Sequence, residues 1–326
     1  MQEKTPRVSV IILNYNGAAY VERCLRSLFC NAYPNFEVLF VDNRSSDASA
    51  EIALRLFGAE KRFTLIRNRE NYGFSVGNNI GIRHANAKYV IILNNDTEVE
   101  ENLIEELVRV AESDSKIGSV GCKIVQSDGR ILYGPMYMNY GFMVRSLDMR
   151  TYDRATVHIA NCGCAMLLRK SAIEKIGSFD PLLWTDWEDH DLGYRLNSAG
   201  FNCVYTPRTR VLHLGGGNYL GMNQERKERI FRNRLLGYYK NYETRNLLVR
   251  FPIVLIKSLM AVSLSSARKR EKSPAPKGLI EFLKMIAPIT YRRDQVQKLR
   301  TVPDITIFKE CRIPERQPFW KTLRVL

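Results

Sequence analysis

Four times within the first 96 residues an apolar run ends abruptly in a polar cluster, and that repetition limits the folds open to this chain. Val8-Ser-Val-Ile-Ile-Leu13 runs into Asn14-Tyr15-Asn16-Gly17. Phe36-Glu-Val-Leu-Phe-Val41 runs into Asp42-Asn43, Phe63-Thr-Leu-Ile66 into Arg67-Asn68, and Tyr89-Val-Ile-Ile-Leu93 into Asn94-Asn95-Asp96. Short apolar runs bounded by polar residues read as strands buried on both faces of a sheet. Helical patterns fill the gaps. Val21, Leu25, Leu28 and Phe29 share one helical face, Ser45-Ser46-Asp47 opens a helix through Leu56, and Ser75 to Ala85 reads as another helix. After the fourth run, Leu103, Ile104, Leu107, Val108 and Ala111 repeat the helical spacing. This alternation predicts a mainly parallel α/β sheet with right-handed crossovers.

Open α/β sheets bind their ligands at the carboxyl ends of strands, so the four polar clusters fall on one rim. Asp96, flanked by amides, suits a hard divalent cation carrying a diphosphate. Its alternative is an N-cap, with Asn95, Asp96 or Thr97 opening the next helix. Asp42 can accept from a nucleobase N–H, Tyr15 can pack against that base, and Arg67 can reach a base or phosphate oxygen. Each cluster alone also reads as a turn. Gly73-Phe-Ser-Val-Gly77 is not a dinucleotide fingerprint, because no strand immediately precedes it.

From Ile117 the pattern changes. Gly118 to Val125 and Cys164 to Leu168 read as strands, residues 126–158 are turn-rich, and Ala172 to Ile176 is a short helix closed by Gly177. A second polar centre follows, Trp184-Thr-Asp-Trp-Glu-Asp-His-Asp191, running into a helix from Asp189 to Leu196. Carboxylates favour a helix amino end, which accounts for the acids. It does not account for Trp184 and Trp187, which need a core or a flat ligand such as a sugar ring. Arg210-Val-Leu-His213 reads as a short edge strand, and Gly215-Gly-Gly217 as a flexible loop.

The net charge of +15 is uneven. Residues 208–326 hold 26 Lys and Arg against 9 Asp and Glu, leaving 23 against 25 in the rest. A basic carboxyl-terminal third suggests an anionic partner, a membrane or a nucleic acid. Residues 222–244 read as a charged helix. Asn246 to Leu264 approaches bilayer length, but Arg250, Pro252 and Lys257 interrupt it, so an interfacial amphipathic helix is expected rather than a span. Arg268-Lys-Arg270 and Lys272 suit anionic headgroups. Gly278 to Ala287 is a second amphipathic candidate, and the alternative is a helical subdomain packed on the core. Seven scattered cysteines are expected to be reduced, mostly core thiols. Met1 to Pro6 lack an apolar signal core, so no secretory signal is expected.

Taken in order, Val10-Ile-Ile-Leu-Asn-Tyr-Asn-Gly17, Val41-Asp-Asn43, Asn71-Tyr-Gly-Phe74 with Gly77-Asn-Asn-Ile-Gly81, Leu93-Asn-Asn-Asp-Thr97, Gly177-Ser-Phe-Asp180, Glu188-Asp-His-Asp191 and His213 resemble the family 2 inverting nucleotide-sugar glycosyltransferases. Within them the pattern is similar to the rhamnosyltransferase-like branch. The resemblance covers roughly residues 7–220 and implies a GT-A fold over 1–220, with 221–326 as a basic, partly amphipathic helical extension. It implies a nucleotide-diphospho-sugar donor held by Asn14, Tyr15, Asp42, Arg67, Asn71, Gly73, Phe74, Asn78, Asn95 and Asp96. It also implies Mn2+ or Mg2+ on Asp96, completed by His213, although Asn94 and Asn95 depart from the family's Asp-x-Asp motif. Asp189 matches the base position. Asp191 is the second choice, and Glu188 orients the acceptor or supports Asp189. Trp184 and Trp187 become candidates for a sugar platform. The expected acceptor is a glycan or lipid-linked glycan at the cytoplasmic face of a membrane. A nucleic-acid-binding protein and a sugar nucleotidyltransferase are the competing readings. No nucleic-acid-reading motif is present, and nucleic acid is not expected as a partner.

Overall fold

The computed structural model describes residues 5–139, 142–145, 149–215, 222–269 and 272–314. The readings made on Met1 to Lys4, Gly216, Gly217 and Arg270 lie outside them. The amino-terminal half alternates as its sequence requires: β1 (Val8–Asn14), α1 (Val21–Phe29), β2 (Phe36–Asp42), α2 (Ser49–Phe57), β3 (Phe63–Arg67), α3 (Gly73–His84), β4 (Tyr89–Asn94), a short β5 (Thr97–Val99) and α4 (Leu103–Glu112). Strands β4, β1, β2 and β3 lie side by side and parallel. The chain therefore runs outward from β1 through β2 to β3, then returns to β1's other side as β4. That reversal leaves a crevice at the carboxyl ends of β1 and β4.

Beyond β4 the sheet becomes mixed. β6 (Ile117–Val125) carries β7 (Ile131–Tyr133), and the turn-rich stretch supplies β8 (Met136–Asn139), β9 (Phe142–Arg145) and β10 (Thr156–His158). β11 (Ala165–Arg169) is antiparallel to both β4 and β6. β12 (Asn202–His213) runs parallel to β6 and antiparallel to β5 and β10. Arg210 to His213 is thus no short edge strand but the end of a twelve-residue strand with neighbours on both sides. The first two thirds are completed by α5 (Lys170–Ile176) and α6 (Glu188–Ser198).

Side-chain alternation along β1 sorts the core. Val8, Val10 and Ile12 join α1 and α4 on one face, while Ile11 joins α3, α5 and α6 on the other. Each such fully buried aliphatic side chain contributes roughly 1.5–3 kcal/mol. A third cluster joins β8, β9 and α6 to the carboxyl-terminal helices α7 (Gln224–Asn241), α8 (Thr244–Lys269), α9 (Ala275–Lys284), α10 (Ile286–Leu299) and α11 (Asp304–Glu310). Met138, Phe142, Ile159, Leu183 and Tyr194 pack there with Phe231, Leu235, Phe282, Ile289 and Ile307. Five of the seven cysteines are buried, none is in a disulfide, and Cys30 is exposed.

Candidate active site

The rim is built around Asn14. Its Nδ2 donates to Asp42 Oδ1 (3.0 Å), Ser45 Oγ and Ser49 Oγ, and its Oδ1 accepts from Asn95 Nδ2 (2.7 Å). One buried amide therefore ties the ends of β1, β2 and β4 together. Asp42 is 3% exposed, and its other oxygen takes the Ser45 amide. Tyr15, next in the chain to Asn14, is half exposed. Arg67 lies level with Asp42 across β2–β3 and pairs with Glu51 on the surface. Asn43 fastens the next loop by donating to Asn71 Oδ1 and the Gly73 carbonyl and accepting from Asn68 and the Tyr72 amide. Sequence reasoning assigned no role to Asn43, although it adjoins Asp42. Phe74 packs edge-on against Phe179. Asn78 is fully buried and donates to the Phe74 carbonyl, which braces this loop from inside, while its Oδ1 has no hydrogen-bond partner.

Asn95 and Asp96 form a turn between β4 and β5. They do not open a helix: α4 begins at Leu103 behind a different residue, Asn102. Asp47 does open α2: its Oδ1 accepts the Ser49 amide at the helix start while Oδ2 accepts the Ala18 amide, and Ser46 is bonded across to Asn16. Pairing of β5 with β12 sets His213 opposite Thr97, and His213 Nε2 stands 3.6 Å from Asp96 Oδ1. That is too long for a hydrogen bond. Asp96 Oδ1 and His213 Nδ1 are buried without a hydrogen-bond partner. An unpaired carboxylate oxygen facing an imidazole nitrogen at this separation fits a shared divalent cation. No group of three His, Cys, Asp or Glu side chains gathers among the described residues, so a donor's phosphates and water would complete the shell.

Asp189 meets the same rim. Asn94 donates its amide to the Cys164 carbonyl, and the neighbouring Gly163 amide donates to Asp189 Oδ2 (3.0 Å). Asp189 therefore hangs from the amino end of β11, directly beside the carboxyl end of β4 that carries Asp96. Its Oδ1 accepts from the His190 amide and from His190 Nδ1 at 2.6 Å. Burial raises Asp189, but the imidazole and these hydrogen bonds outweigh it and hold the carboxyl below its usual range. The side chain remains 16% exposed, enough for one oxygen to meet a hydroxyl. Glu188 is pushed well above the usual range, first by burial and then by the Asp189 charge, and its Oε2 has no partner. The two adjacent carboxyls are thus pushed in opposite directions, Glu188 toward its neutral form and Asp189 toward its ionised form.

Two expected site residues belong elsewhere. Asp191 is fully buried and bonded to Arg195, Lys240 and Asn241, which leaves it no free face for a substrate. Trp187 is stacked on His190 (centroids 4.5 Å apart), lies under the Arg234 guanidinium and packs against Tyr238, so its ring is a structural wall. Trp184 remains 39% exposed between Gly73 and the Arg229 guanidinium, 4.8 Å from its ring centroid. His190 went unassigned in the sequence, although it lies inside the acidic run. A polar stripe at helical spacing, Arg226, Arg229, Asn233 and Lys240, was the available signal for α7.

The sequence model of glycosyl transferase family 2 matches residues 9–177, more than half of the chain. The chain belongs to that family. Among family relatives, the O-antigen biosynthesis protein RfbC of Myxococcus xanthus is 26% identical over 64% of this chain, a match taking in 17% of RfbC's length. The N-acetylglucosaminyl-diphospho-decaprenol L-rhamnosyltransferase of Mycobacterium tuberculosis is 26% identical over 64% of this chain and 76% of its own. The mannosyltransferase PcManGT of Pyrobaculum calidifontis, solved with GDP-Man and Mn2+, superposes with a TM-score of 0.58 at 18% identity, covering 91% of this chain and 86% of that one. The family 2 chain thus has the GT-A fold, a mixed sheet flanked by helices with a helical carboxyl-terminal region.

Proposed function

We propose that this protein is an inverting glycosyltransferase that moves a sugar from a nucleotide-diphospho-sugar to a hydroxyl of a growing surface glycan. The observation that carries this is the Asp189 carboxylate suspended beside the end of β4 that leads to Asp96, which His213 faces from β12. As the acceptor oxygen attacks the anomeric carbon, Asp189 takes its proton and the bond to the diphosphate breaks on the opposite side. Asn14, Asp42 and Asn95 fix the shape of the nucleotide rim, and Trp184 offers the exposed ring for a sugar. A divalent cation held by Asp96 and His213 would supply positive charge to the departing diphosphate. Mn2+ in PcManGT supports the use of such an ion. The rhamnosyltransferase relative favours dTDP-rhamnose as donor, with a UDP-hexose as the alternative. A lipid-linked acceptor would bring the protein to the inner face of the cell membrane, where its basic carboxyl-terminal third would meet anionic lipid.

A panel of nucleotide sugars, with and without Mn2+ or Mg2+, tests this reading. One donor should show cation-dependent turnover with inverted product configuration, and Asp96→Ala should abolish thermal stabilisation by cation plus nucleoside diphosphate. Retained configuration, or cation-dependent stabilisation unchanged in Asp96→Ala, would overturn it.

A further inference from the structure

The loop that delivers Glu188 and Asp189 has an unusual backbone. Trp184, Asp186 and Trp187 all have positive φ (58°, 69° and 76°), a region that non-glycine residues rarely occupy. Such a conformation persists only where the surroundings over-determine it. Here they lie on α7, some 45 residues later in the chain. Asn233, fully buried, directs Nδ2 at three carbonyls of this loop: Leu183 (2.7 Å), Thr185 (2.9 Å) and Asp186 (2.7 Å). Arg226 and Arg229, two turns and one turn earlier, both pair with the Asp186 carboxylate. One turn after Asn233, Gly237 lies flat against Trp187: a Cβ there would stand 2.5 Å from the indole Nε1. Trp187 in turn stacks on His190, whose Nδ1 holds Asp189.

We infer that α7 is a positioning element of the active site, acting on Asp189 by two routes: Asn233 sets the backbone of the acidic loop, and Gly237 seats Trp187, which seats His190. The inference rests on the reading of Asp189 as base, but its structural half stands apart from it. It also gives the carboxyl-terminal helices a role beyond packing, since a face of α7 defines where the acceptor hydroxyl meets its base. Asn233 and Gly237 are both buried, so each would act through the residues it holds.

Gly237→Ala is the discriminating variant. Alanine is the better helix former, so α7 itself should not be weakened. The added methyl can be accommodated only by displacing Trp187. The expected result is a kcat lower by on the order of 10²-fold, as for an ångström-scale misplacement of a catalytic group. Donor affinity should stay unchanged, and the acid limb of the pH profile should move upward as His190 loosens from Asp189. Asn233→Asp, which removes the donor N–H groups at constant size, should raise hydrogen exchange of the amides at 183–190 while leaving those at 94–97 at the wild-type rate. A folded Gly237→Ala enzyme with wild-type kcat and pH profile would overturn the inference. So would unchanged exchange at 183–190 in Asn233→Asp, or donor affinity lost in proportion to kcat. If the wild type transfers no sugar at all, the proposed function fails, and the exchange experiment still decides whether α7 sets the loop.

Discussion

Glu188 and Asp189 are consecutive residues with opposite protonation preferences, and their partners explain why. Glu188 is buried beside a like charge, whereas Asp189 receives two backbone N–H bonds and an imidazole. Replacing Asp189 by Asn keeps the size and the fold but removes the proton acceptor. Turnover should fall roughly 10²–10⁴-fold with donor binding retained, as measured by initial rates and nucleotide titration. The sign of the pH dependence follows from the depressed Asp189. As a base it must be ionised, so activity should persist down to the ordinary Asp value of about 3.9 and fall only below it. His190→Phe keeps the stack on Trp187 but removes the imidazole. Burial then dominates, and the acid limb should move to higher pH; an unmoved limb would show that His190 does not tune the base. The acidic cluster was legible in the sequence as a candidate site, but the different surroundings of its members were not. What disqualifies Asp191 and Trp187 arrives from Lys240, Asn241 and Arg234, about 50 residues away, and no local pattern encodes that meeting.

At the scale of elements, the alternation of apolar runs revealed the parallel half of the sheet nearly residue by residue, because strands buried on both faces leave an unambiguous trace. β12 was harder. Residues 206–210, Thr-Pro-Arg-Thr-Arg, coincide with an irregularity in the β6 pairing, so only the last four residues of the long strand read as a strand. The helices α6 and α7 are joined by a buried charge cluster in which Lys240 bonds both Asp180 and Asp191, while Arg195 bonds Asp191. Arg292 approaches Asp180 from the solvent side at 3.9 Å, so two carboxylates meet two buried cations and one partly exposed one. Lys240→Met should therefore destabilise the protein by about 3–5 kcal/mol, since it removes the buried cation shared by Asp180 and Asp191; thermal unfolding measures it. Asp191 is held below its usual value by Lys240 and Arg195 despite its burial. Its contribution to stability is present in full above the ordinary Asp pKa of about 3.9 and is lost as pH falls through the depressed folded value. In Lys240→Met that acid-side loss should shrink, because Arg195 alone then opposes the burial of Asp191.

At the scale of the molecule, α8 presents Leu248, Val249, Ile253, Ile256, Met260 and Leu264 to solvent, with Leu248 72% exposed. These positions fall along one side of the helix. No helix of the described residues is long and apolar enough to cross a membrane. Among the described residues this stripe, in the basic third, is the surface best suited to lie in a lipid interface. Binding to vesicles containing anionic lipid should be salt-sensitive and should weaken sharply in Leu248→Glu with Ile256→Glu, as read by co-sedimentation. Equal binding of that double variant would remove α8 as the contact. The amphipathic segment was legible in the sequence. That its other face closes a core with β8, β9 and α6 was not, because β8 and β9 lie in the turn-rich stretch where periodicity is weak. The shared core has a practical consequence for anyone seeking new sugar-acceptor pairings by recombination. Crossover points near residue 220 would sever the acidic loop from the helix that shapes it, so chimeras should inherit 181–198 and 224–313 from one parent.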